Sequence, residues 1–357
     1  MGIKITTNEL IKLLDTTPPE HNIMLAGKHG IGKSQILEKY FTEKKQKVII
    51  LFLGQMSDPG DLIGLPYKDE KTGITNFMAP YWWPVDNKPI VLFLDELNRA
   101  RPEVLQTVMD LTLNRKLAGK ELPKGSRIIS AVNAGDEYQL TDLDPALVSR
   151  FNIYEFVPSV QEWLLWAQKN KIDQRVIDFI SENPALLDGL ELRQEDQGLE
   201  KTPDRRGWER VSNIISLYDN EDEFQIKAIA GIIGMSTASK FYAFYSSNRL
   251  LTAKDILTKD FDVILKKLKS YTNPQIAILN DSIYRFIETA GYKDEEKKTV
   301  IDNLTKYVLF LEKIKSKEPM AHFVNLYSSN NYKNTILFIV TNCKDVLKKI
   351  TDFIKNL

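Results

Sequence analysis

A glycine-rich loop between an apolar run and an amphipathic segment constrains this sequence more than any other feature. Residues 23–26 are apolar and lead into Gly27-Lys28-His29-Gly30-Ile31-Gly32-Lys33-Ser34, which fits G-x-x-x-x-G-K-[ST], and residues 35–41 continue as a helix. Glycines let several backbone N–H groups face one phosphate, and the N-terminus of the helix adds its own unpaired amides. The order strand, loop, helix predicts a phosphate-binding loop, whereas the bare pattern would also fit an ordinary glycine-rich turn.

The residue types of this loop predict a nucleoside triphosphate as the ligand. Lys33 would place a compact positive charge at the β- and γ-phosphates, and Ser34 would offer a hydroxyl to Mg²⁺. The predicted nucleotide-binding residues are Gly27, His29, Gly30, Ile31, Gly32, Lys33, Ser34 and Gln35.

The composition is that of a soluble globular protein. Of its 357 residues, 43% are hydrophobic and 27% are charged, and the formal net charge of zero gives no general attraction to nucleic acid or anionic membrane. The single cysteine, Cys343, cannot form an internal disulfide, and no apolar run reaches the roughly 20 residues of a membrane span. We therefore expect a cytoplasmic protein. The three histidines are scattered, so any metal is expected to be Mg²⁺ bound with the nucleotide.

Strands and helices alternate over residues 1–157. Five stretches predict strands, at residues 23–26, 47–53, 89–94, 127–132 and 152–156. The continuous apolar runs 47–53 and 89–94 are typical of strands buried in a parallel sheet between helix layers. Residues 3–15 predict a short leading helix with Thr7 or Asn8 as its N-cap. The expected fold class is α/β, with a five-stranded, mainly parallel sheet.

Two stretches interrupt this alternation, and the last part of the chain departs from it. Residues 54–88 predict loops and a hairpin, and their aromatic cluster Tyr81-Trp82-Trp83 either fixes this stretch to the body or contacts a partner. Residues 116–127 predict a second hairpin. From Pro158 amphipathic segments predict helices, so the expected domains are 1–157, 158–255 and 256–357.

A pair of acids follows the third predicted strand. The apolar run 90–94 ends in Asp95-Glu96, and ligands of open α/β sheets bind at the carboxyl ends of the strands. Asp95 is predicted to hold Mg²⁺ opposite Ser34, and Glu96 to orient or deprotonate the water that attacks the γ-phosphate. A vicinal glutamate suits activation of water, which favours a triphosphatase over a kinase.

The order of these motifs resembles that of AAA+ ATPases. Their amino-acid sequences resemble those of the MoxR branch, especially the single-chain members found in phages and prophages. The resemblance covers about residues 20–245. The segments that carry it are Asp61-Leu62-Ile63-Gly64-Leu65-Pro66, Asp95-Glu96-Leu97-Asn98-Arg99-Ala100-Arg101-Pro102, Ala131-Val132-Asn133-Ala134, Asp144-Pro145-Ala146-Leu147-Val148-Ser149-Arg150-Phe151, Glu162-Trp163-Leu164-Leu165-Trp166-Ala167 and Arg206-Gly207-Trp208-Glu209.

The resemblance implies an ATPase that uses ATP and Mg²⁺, with residues 158–255 as a helical lid. Residues 256–357 have no counterpart in this resemblance, and their amphipathic segments predict a helical extension. The resemblance implies that Asn133 is a polar sensor that helps to fix the attacking water. It also implies that Arg150 is an arginine finger that reaches the γ-phosphate of a neighbouring subunit in a homo-oligomeric, hexameric ring. The alternative for Arg150 is a surface arginine that caps a helix C-terminus.

A second sensor arginine is also implied, and here the sequence departs from the family pattern. Arg206 is the best match, but Asp204-Arg205 intervenes after Thr202-Pro203, so Arg205 competes with it. Arg99 fits either a subunit interface or an ion pair within the subunit.

The resemblance further implies a chaperone-like ATPase that remodels a protein client, with a von Willebrand factor A domain protein as a possible partner. Residues 67–85 and 116–126 would be hairpins that couple hydrolysis to that client. The alternatives are a nucleic-acid motor or loader and a nucleotide-gated assembly protein that hydrolyses little ATP. The balanced charge and the lack of a basic, aromatic track argue against nucleic acid as a partner.

Overall fold

The computed structural model describes residues 2–133, 143–189, 201–218, 222–247 and 251–356. The chain divides into two compact units, Met1–Ser159 and Val160–Leu357. The first unit is α/β and the second is helical, which confirms the predicted fold class. The division into the three domains 1–157, 158–255 and 256–357 stays a prediction.

A six-stranded parallel sheet forms the centre of the first unit. In the described residues the strands are β1 (Lys4–Ile5), β2 (Ile23–Gly27), β3 (Lys47–Phe52), β4 (Pro66–Lys68), β5 (Thr75–Phe77), β6 (Ile90–Asp95), β7 (Lys116–Leu117), β8 (Lys120–Glu121), β9 (Arg127–Asn133) and β10 (Asn152–Phe156). The sheet has the order β1-β10-β2-β9-β6-β3, and all of its paired neighbours are parallel. The parallel sheet was predicted correctly, but the expected number of five strands is wrong.

The additional strand is β1, which pairs Lys4 with Glu155 at the edge of the sheet. Helix α1 (Thr7–Thr16) begins directly after it. Its N-cap is Thr6 rather than Thr7 or Asn8, because the backbone N–H of Thr6 donates to the Glu9 carboxylate (2.8 Å) in a capping box. A strand of two residues is too short to show an alternating pattern, so only its pairing with β10 reveals it.

Helices cover both faces of the sheet. The further helices of the first unit are α2 (Lys33–Glu43), α3 (Gly60–Ile63), α4 (Pro102–Asn114) and α5 (Pro145–Val148). Side chains alternate along β6, since Val91 and Phe93 belong to the apolar core that includes Leu37 of α2. Their neighbours Leu92 and Leu94 belong to the opposite core with α4. Burial on both faces explains why this strand is a continuous apolar run.

Both predicted hairpins are present. One joins β4 and β5, and the other joins β7 and β8 through Ala118 and Gly119, whose positive φ values of 47° and 77° suit a tight two-residue turn. The aromatic cluster is divided. Trp82 and Trp83 are only 2% and 9% exposed and fix this stretch to the core, whereas Tyr81 is 87% exposed.

The second unit consists of helices in its described residues. They are α6 (Val160–Lys169), α7 (Gln174–Glu182), α8 (Arg205–Leu217), α9 (Glu223–Ile233), α10 (Met235–Ser247), α11 (Ala253–Thr258), α12 (Phe261–Leu268), α13 (Asn273–Glu288), α14 (Lys297–Lys313), α15 (Glu318–Ser328), α16 (Lys333–Asn342) and α17 (Lys344–Lys355). Helices α6 to α10 supply most of the buried residues of one apolar core, and α11 to α17 supply most of those of another. Within the part of the chain described, no helix has the length and apolar character needed to cross a membrane.

Candidate active site

Apart from Arg150, the predicted site residues of the first unit lie at the edge of the sheet where neighbouring strands have their carboxyl ends. Gly27 at the end of β2 is in register with Asn133 at the end of β9. Asp95 ends β6, which pairs with β9 on one side and with β3 on the other. Parallel strands place their carboxyl ends together, so three segments that are distant in sequence converge at this edge.

The loop after β2 has the backbone geometry of a phosphate-binding loop. Gly30 and Gly32 have φ values of 78° and 92°, a backbone conformation that residues other than glycine rarely adopt. At Gly27 a Cβ atom would lie 2.8 Å from Cδ1 of Ile31 and 2.9 Å from the carbonyl oxygen of Phe156. Gly32 caps α2 without a side-chain hydrogen bond, which leaves the first amides of the helix to an anion.

The remaining loop residues divide by burial. Ile31 is 8% exposed and packs into the core with α2, so only its backbone N–H could contact a phosphate. His29 and Gln35 are exposed.

Lys33 is a buried cation held by three oxygen atoms. Its side chain donates to the carbonyl oxygens of Gly27 (2.9 Å) and Lys28 (3.0 Å) and to Oδ1 of Asn133 (3.2 Å). Lys33 is 6% exposed and Asn133 is 5% exposed. Since a buried ammonium group needs an anion or several acceptors, this lysine is placed to exchange neutral acceptors for phosphate oxygens.

The oxygen atoms expected to hold a metal ion lie together. Ser34 Oγ donates to Asp95 Oδ2 over 2.9 Å, and Asp95 Oδ1 accepts from the backbone N–H of Glu96 over 2.9 Å. A hydroxyl oxygen and a carboxylate at such a distance form a small set of hard oxygen donors, which is the chemistry that Mg²⁺ prefers. The residues present therefore fit the predicted ion.

Glu96 is held by groups that were not predicted to act on it. Its Oε1 accepts from Arg99 Nη1 over 3.0 Å, so Arg99 makes the ion pair within the subunit. Its Oε2 lies against Gly54, where a Cβ atom would approach it to 3.0 Å. Glu96 itself has a φ of 56°, an uncommon backbone conformation for a residue with a side chain and one that clusters at functional sites.

Asn98 and Gly54 are two residues of this site that sequence reasoning missed. Asn98 Nδ2 donates to the carbonyl oxygen of Asn133, and the backbone N–H of Asn133 donates to Asn98 Oδ1, each over 3.3 Å. Asn98 therefore aligns the segment after β6 with the end of β9. The available signals were a polar residue close after the acidic pair and a glycine at the end of the strand next to that pair. Ala134, the last residue of one matched segment, lies outside the described residues.

Arg150 lies at the edge of the sheet formed by the amino ends of the strands, opposite to the phosphate loop. It precedes β10, and its carbonyl oxygen accepts from Asn22 Nδ2 (3.1 Å) just before β2 begins. Arg150 Nη1 donates to the carbonyl oxygen of Ala146 in α5, so the guanidinium does cap this short helix. It lines an open cleft of about 530 Å³ together with His21. This cleft and the phosphate loop lie at opposite ends of β2. The length of β2, at the rise of a β-strand, makes their separation about 16 Å.

The two candidates for the second sensor differ in their surroundings within the second unit. Arg205 is buried and makes a bidentate ion pair with Asp188, with both nitrogen–oxygen distances at 3.0 Å. Arg206 is exposed in the first turn of α8. Arg205 is thus occupied within its own unit, and Arg206 stays the prediction for the sensor.

This fold and this site have the arrangement of a P-loop nucleotide-binding domain. Residues 22–151 match the family model described as AAA domain (dynein-related subfamily). The match ends just after Arg150 and contains the phosphate loop, the acidic pair and Asn133, so this part of the first unit is similar to an AAA domain.

The proteins similar to this chain include one curated relative and the three solved structures described below. BssE of Thauera aromatica, which its name describes as a candidate chaperone, is 29% identical over 149 residues, or 39% of this chain and 51% of that protein. The chain thus spans about half the length of this relative. One structure is a closed-state Hsp104 with ATPγS and FITC casein, with a TM-score of 0.34 and 16% identity over 47% of this chain and 35% of that chain. The second is NtrX from Brucella abortus, with a TM-score of 0.38 and 14% identity over 85% of this chain and 69% of that chain. The third is the RuvB Holliday junction branch migration motor of Thermotoga maritima, with a TM-score of 0.32 and 15% identity over 74% of this chain and 94% of that chain. At these TM-scores the structural likenesses carry no argument about function.

Proposed function

We propose that this chain is a Mg²⁺-dependent ATPase of the MoxR type that assembles into a hexameric ring and remodels a protein client. The observation that carries the proposal is the contact of 2.9 Å between Ser34 of the phosphate loop and Asp95 at the end of β6. It joins the two halves of a triphosphate site, and Lys33 and Asn133 lie beside it.

Each residue of the site has a chemical role in this proposal. Lys33 would exchange its carbonyl partners for the β- and γ-phosphates, and Ser34 and Asp95 would hold Mg²⁺, which would neutralise charge on the phosphates. Glu96 accepts a proton from the attacking water, and Asn133 fixes that water by a hydrogen bond. Arg99 and Gly54 hold the Glu96 carboxylate in one orientation.

The position of Arg150 supports shared active sites. Within one subunit this arginine and the phosphate loop lie at opposite edges of the sheet, too far apart for one side chain to bridge. It can therefore stabilise the transferring phosphoryl group only from a neighbouring subunit, as an arginine finger does. In the same proposal Arg206 acts as the second sensor.

The client proposal rests on the two hairpins of the first unit. Lys120 Nζ donates to the carbonyl oxygen of Phe77 over 2.8 Å, so the hairpins are joined. Around them Leu65, Ile74 and Tyr81 are 69%, 62% and 87% exposed. Exposed apolar side chains on a coupled pair of hairpins suit contact with unfolded protein segments. The name of the BssE relative agrees with a chaperone role, and a von Willebrand factor A domain protein stays a proposed partner.

The experiment that tests the ATPase is Glu96→Gln. This change keeps the shape of the side chain but removes its basicity, so ATP binding should persist while turnover falls by about 10²–10⁴-fold. Turnover is measured by phosphate release and binding by calorimetry with ATP and Mg²⁺. Glu103→Gln, at an exposed position of α4, is the matched control and should retain activity. Normal turnover of Glu96→Gln would remove Glu96 from its role, and absent ATP binding by the unmodified chain would refute the proposal.

A further inference from the structure

A groove in the second unit combines an apolar floor with a basic rim. It has a volume of about 590 Å³ and lies against α12, α13 and α14. Leu268 and Ile276 are buried in its floor, where Leu265 and Phe310 are half-buried. An apolar groove of this size is large enough to accept several side chains of a ligand.

Three lysines surround this floor. Lys306 and Lys313 lie two turns apart on the face of α14 that also carries Phe310, and Lys269 caps the end of α12. Among the described residues, no ion-pair partner is found for any of these three ammonium groups. Asp262 is the one acid that lines the groove, so the local charge is positive although the chain as a whole is neutral.

We propose that this groove binds an acidic amphipathic helix of a partner protein. The charge of the rim selects carboxylates, and the apolar floor selects a row of apolar side chains between them. The described residues of the second unit contain no strand, so a bound segment finds no sheet edge to extend. A helix satisfies its own backbone hydrogen bonds and needs no such edge, which favours it as the bound form. This proposal is independent of the proposed ATPase activity.

The spacing of the lysines favours a peptide over a small anionic amphiphile. Lys306 and Lys313 are separated along α14 by about 10 Å at the rise of a helix. A single carboxylate therefore reaches only one of them, whereas acids two turns apart on a helix would reach both. The length of the lining along α12, from Asp262 to Lys269, is also about 10 Å and matches two turns of a bound helix.

The test uses the full chain and a fluorescein-labelled helical peptide with leucines along one face and glutamates on both sides of them. A second peptide has lysine in place of each glutamate. Binding is followed by fluorescence anisotropy without nucleotide, and circular dichroism reports the fold of every variant. The acidic peptide should bind and the basic peptide should not. Equal binding of both peptides, or no binding of the acidic peptide, would overturn the proposal.

Two variants locate the site. The double change Lys306→Glu with Lys313→Glu should weaken binding about tenfold or more, because two attractions become repulsions. Lys266→Glu with Lys267→Glu makes the same charge change at exposed positions of α12 that do not line the groove and should change affinity less than about twofold. Equal weakening by both pairs would refute the site.

The apolar floor is tested separately. Leu309, which lines the groove and is 37% exposed, can be changed to serine with little effect on the core and should weaken binding several-fold. Unchanged affinity in Leu309→Ser would contradict an apolar contact. Dodecanoate is the alternative occupant, and binding of dodecanoate in the absence of any acidic-peptide binding would replace the proposed partner with a small amphiphile.

Discussion

At the scale of single residues, the position of Glu96 shows how a site can depend on neighbours that carry no motif of their own. The carboxylate lies between the Arg99 guanidinium and the backbone of Gly54. The Arg99–Glu96 pair is local in sequence, but Gly54 lies in the short turn that follows the neighbouring strand β3. A Cβ atom at position 54 would lie 3.0 Å from Glu96 Oε2, so a larger residue there would press on the carboxylate.

Removal of Arg99 should reduce turnover without reducing affinity for ATP. Arg99→Ala frees one oxygen of the Glu96 carboxylate from its ion pair and so loosens the orientation of the proposed base. We expect kcat to fall by about tenfold or more with KM little changed, since loose positioning of a catalytic group has this effect. Steady-state phosphate release measures both constants.

Arg101→Ala is the matched control for this prediction. Arg101 donates to the carbonyl oxygen of Ser57 and makes no described contact with Glu96. Arg99→Lys, which keeps the charge but not the planar guanidinium, should recover part of the rate. A faster Arg99→Ala enzyme would mean that the ion pair restrains Glu96 rather than positions it.

At the scale of elements, the turn that precedes the first hairpin depends on Gly64. Its φ is 90°, and a Cβ atom there would lie 2.0 Å from the carbonyl oxygen of Met78. The backbone cannot give way cheaply because Met78 follows β5 and its N–H donates to the carbonyl oxygen of Leu65 (2.9 Å).

Gly64→Ala should therefore destabilise the chain by about 2 kcal/mol or more, the sum of backbone strain and a steric clash. Gly73 supplies the control, since its φ of 70° is also left-handed but nothing lies within 4 Å of an added Cβ atom. Gly73→Ala should cost only about 1 kcal/mol. Urea unfolding measures both, and equal losses would show that the contact with Met78 does not matter.

A buried ion pair between α7 and α13 links stability to pH. Asp178 Oδ1 lies 3.2 Å from Nη2 of Arg285, which is fully buried. Burial raises the pKa of Asp178 to about 6, against the opposing effect of Arg285. Burial also raises the pKa of Asp281 on α13. Since the folded value of Asp178 exceeds the unfolded value of 3.8, its contribution to stability is complete at low pH and is lost as the pH rises through about 6.

The free energy of unfolding should therefore fall by about 1 kcal/mol between about pH 5 and about pH 7 through Asp178. Asp178→Asn should lower stability throughout, because Arg285 loses its partner, and should remove most of this pH dependence. Urea unfolding at the two pH values measures it. Asp352→Asn removes an exposed carboxylate from α17 as the control. If the free energy of unfolding of Asp178→Asn still depended on pH to the same extent, groups other than Asp178 would be responsible.

At the scale of the whole molecule, Arg150 and the phosphate loop lie at opposite edges of the sheet. If each active site is shared by two subunits, two variants that are inactive alone should regain ATPase activity when they are mixed. Lys33→Ala destroys the nucleotide site but keeps Arg150, and Arg150→Ala does the reverse. Each variant alone should be nearly inactive, because removal of an arginine finger costs about 10³-fold or more.

An equal mixture should recover about a quarter of the normal turnover, because half of the sites are intact and half of those face an intact Arg150. Rates at several mixing ratios measure this, with the unmodified chain mixed with Lys33→Ala as the reference for assembly. No recovery at any ratio would contradict a shared site.

Residue patterns alone were enough to predict the α/β class, the phosphate loop, the acidic pair and both hairpins. These features were predictable because phosphate binding, tight turns and strands buried on both faces each demand particular residue types at short spacing. The site residues Lys33, Ser34 and Asp95 could be named for the same reason, and the structure brings them together.

The folded structure was needed to establish which distant segments meet. It added β1 to the sheet edge, placed Gly54 against Glu96, paired Arg205 with Asp188 and put Arg150 at the edge opposite to the phosphate loop. The physical reason is that each of these contacts depends on strand order or on packing between segments far apart in the chain, and no local pattern of residues encodes either one.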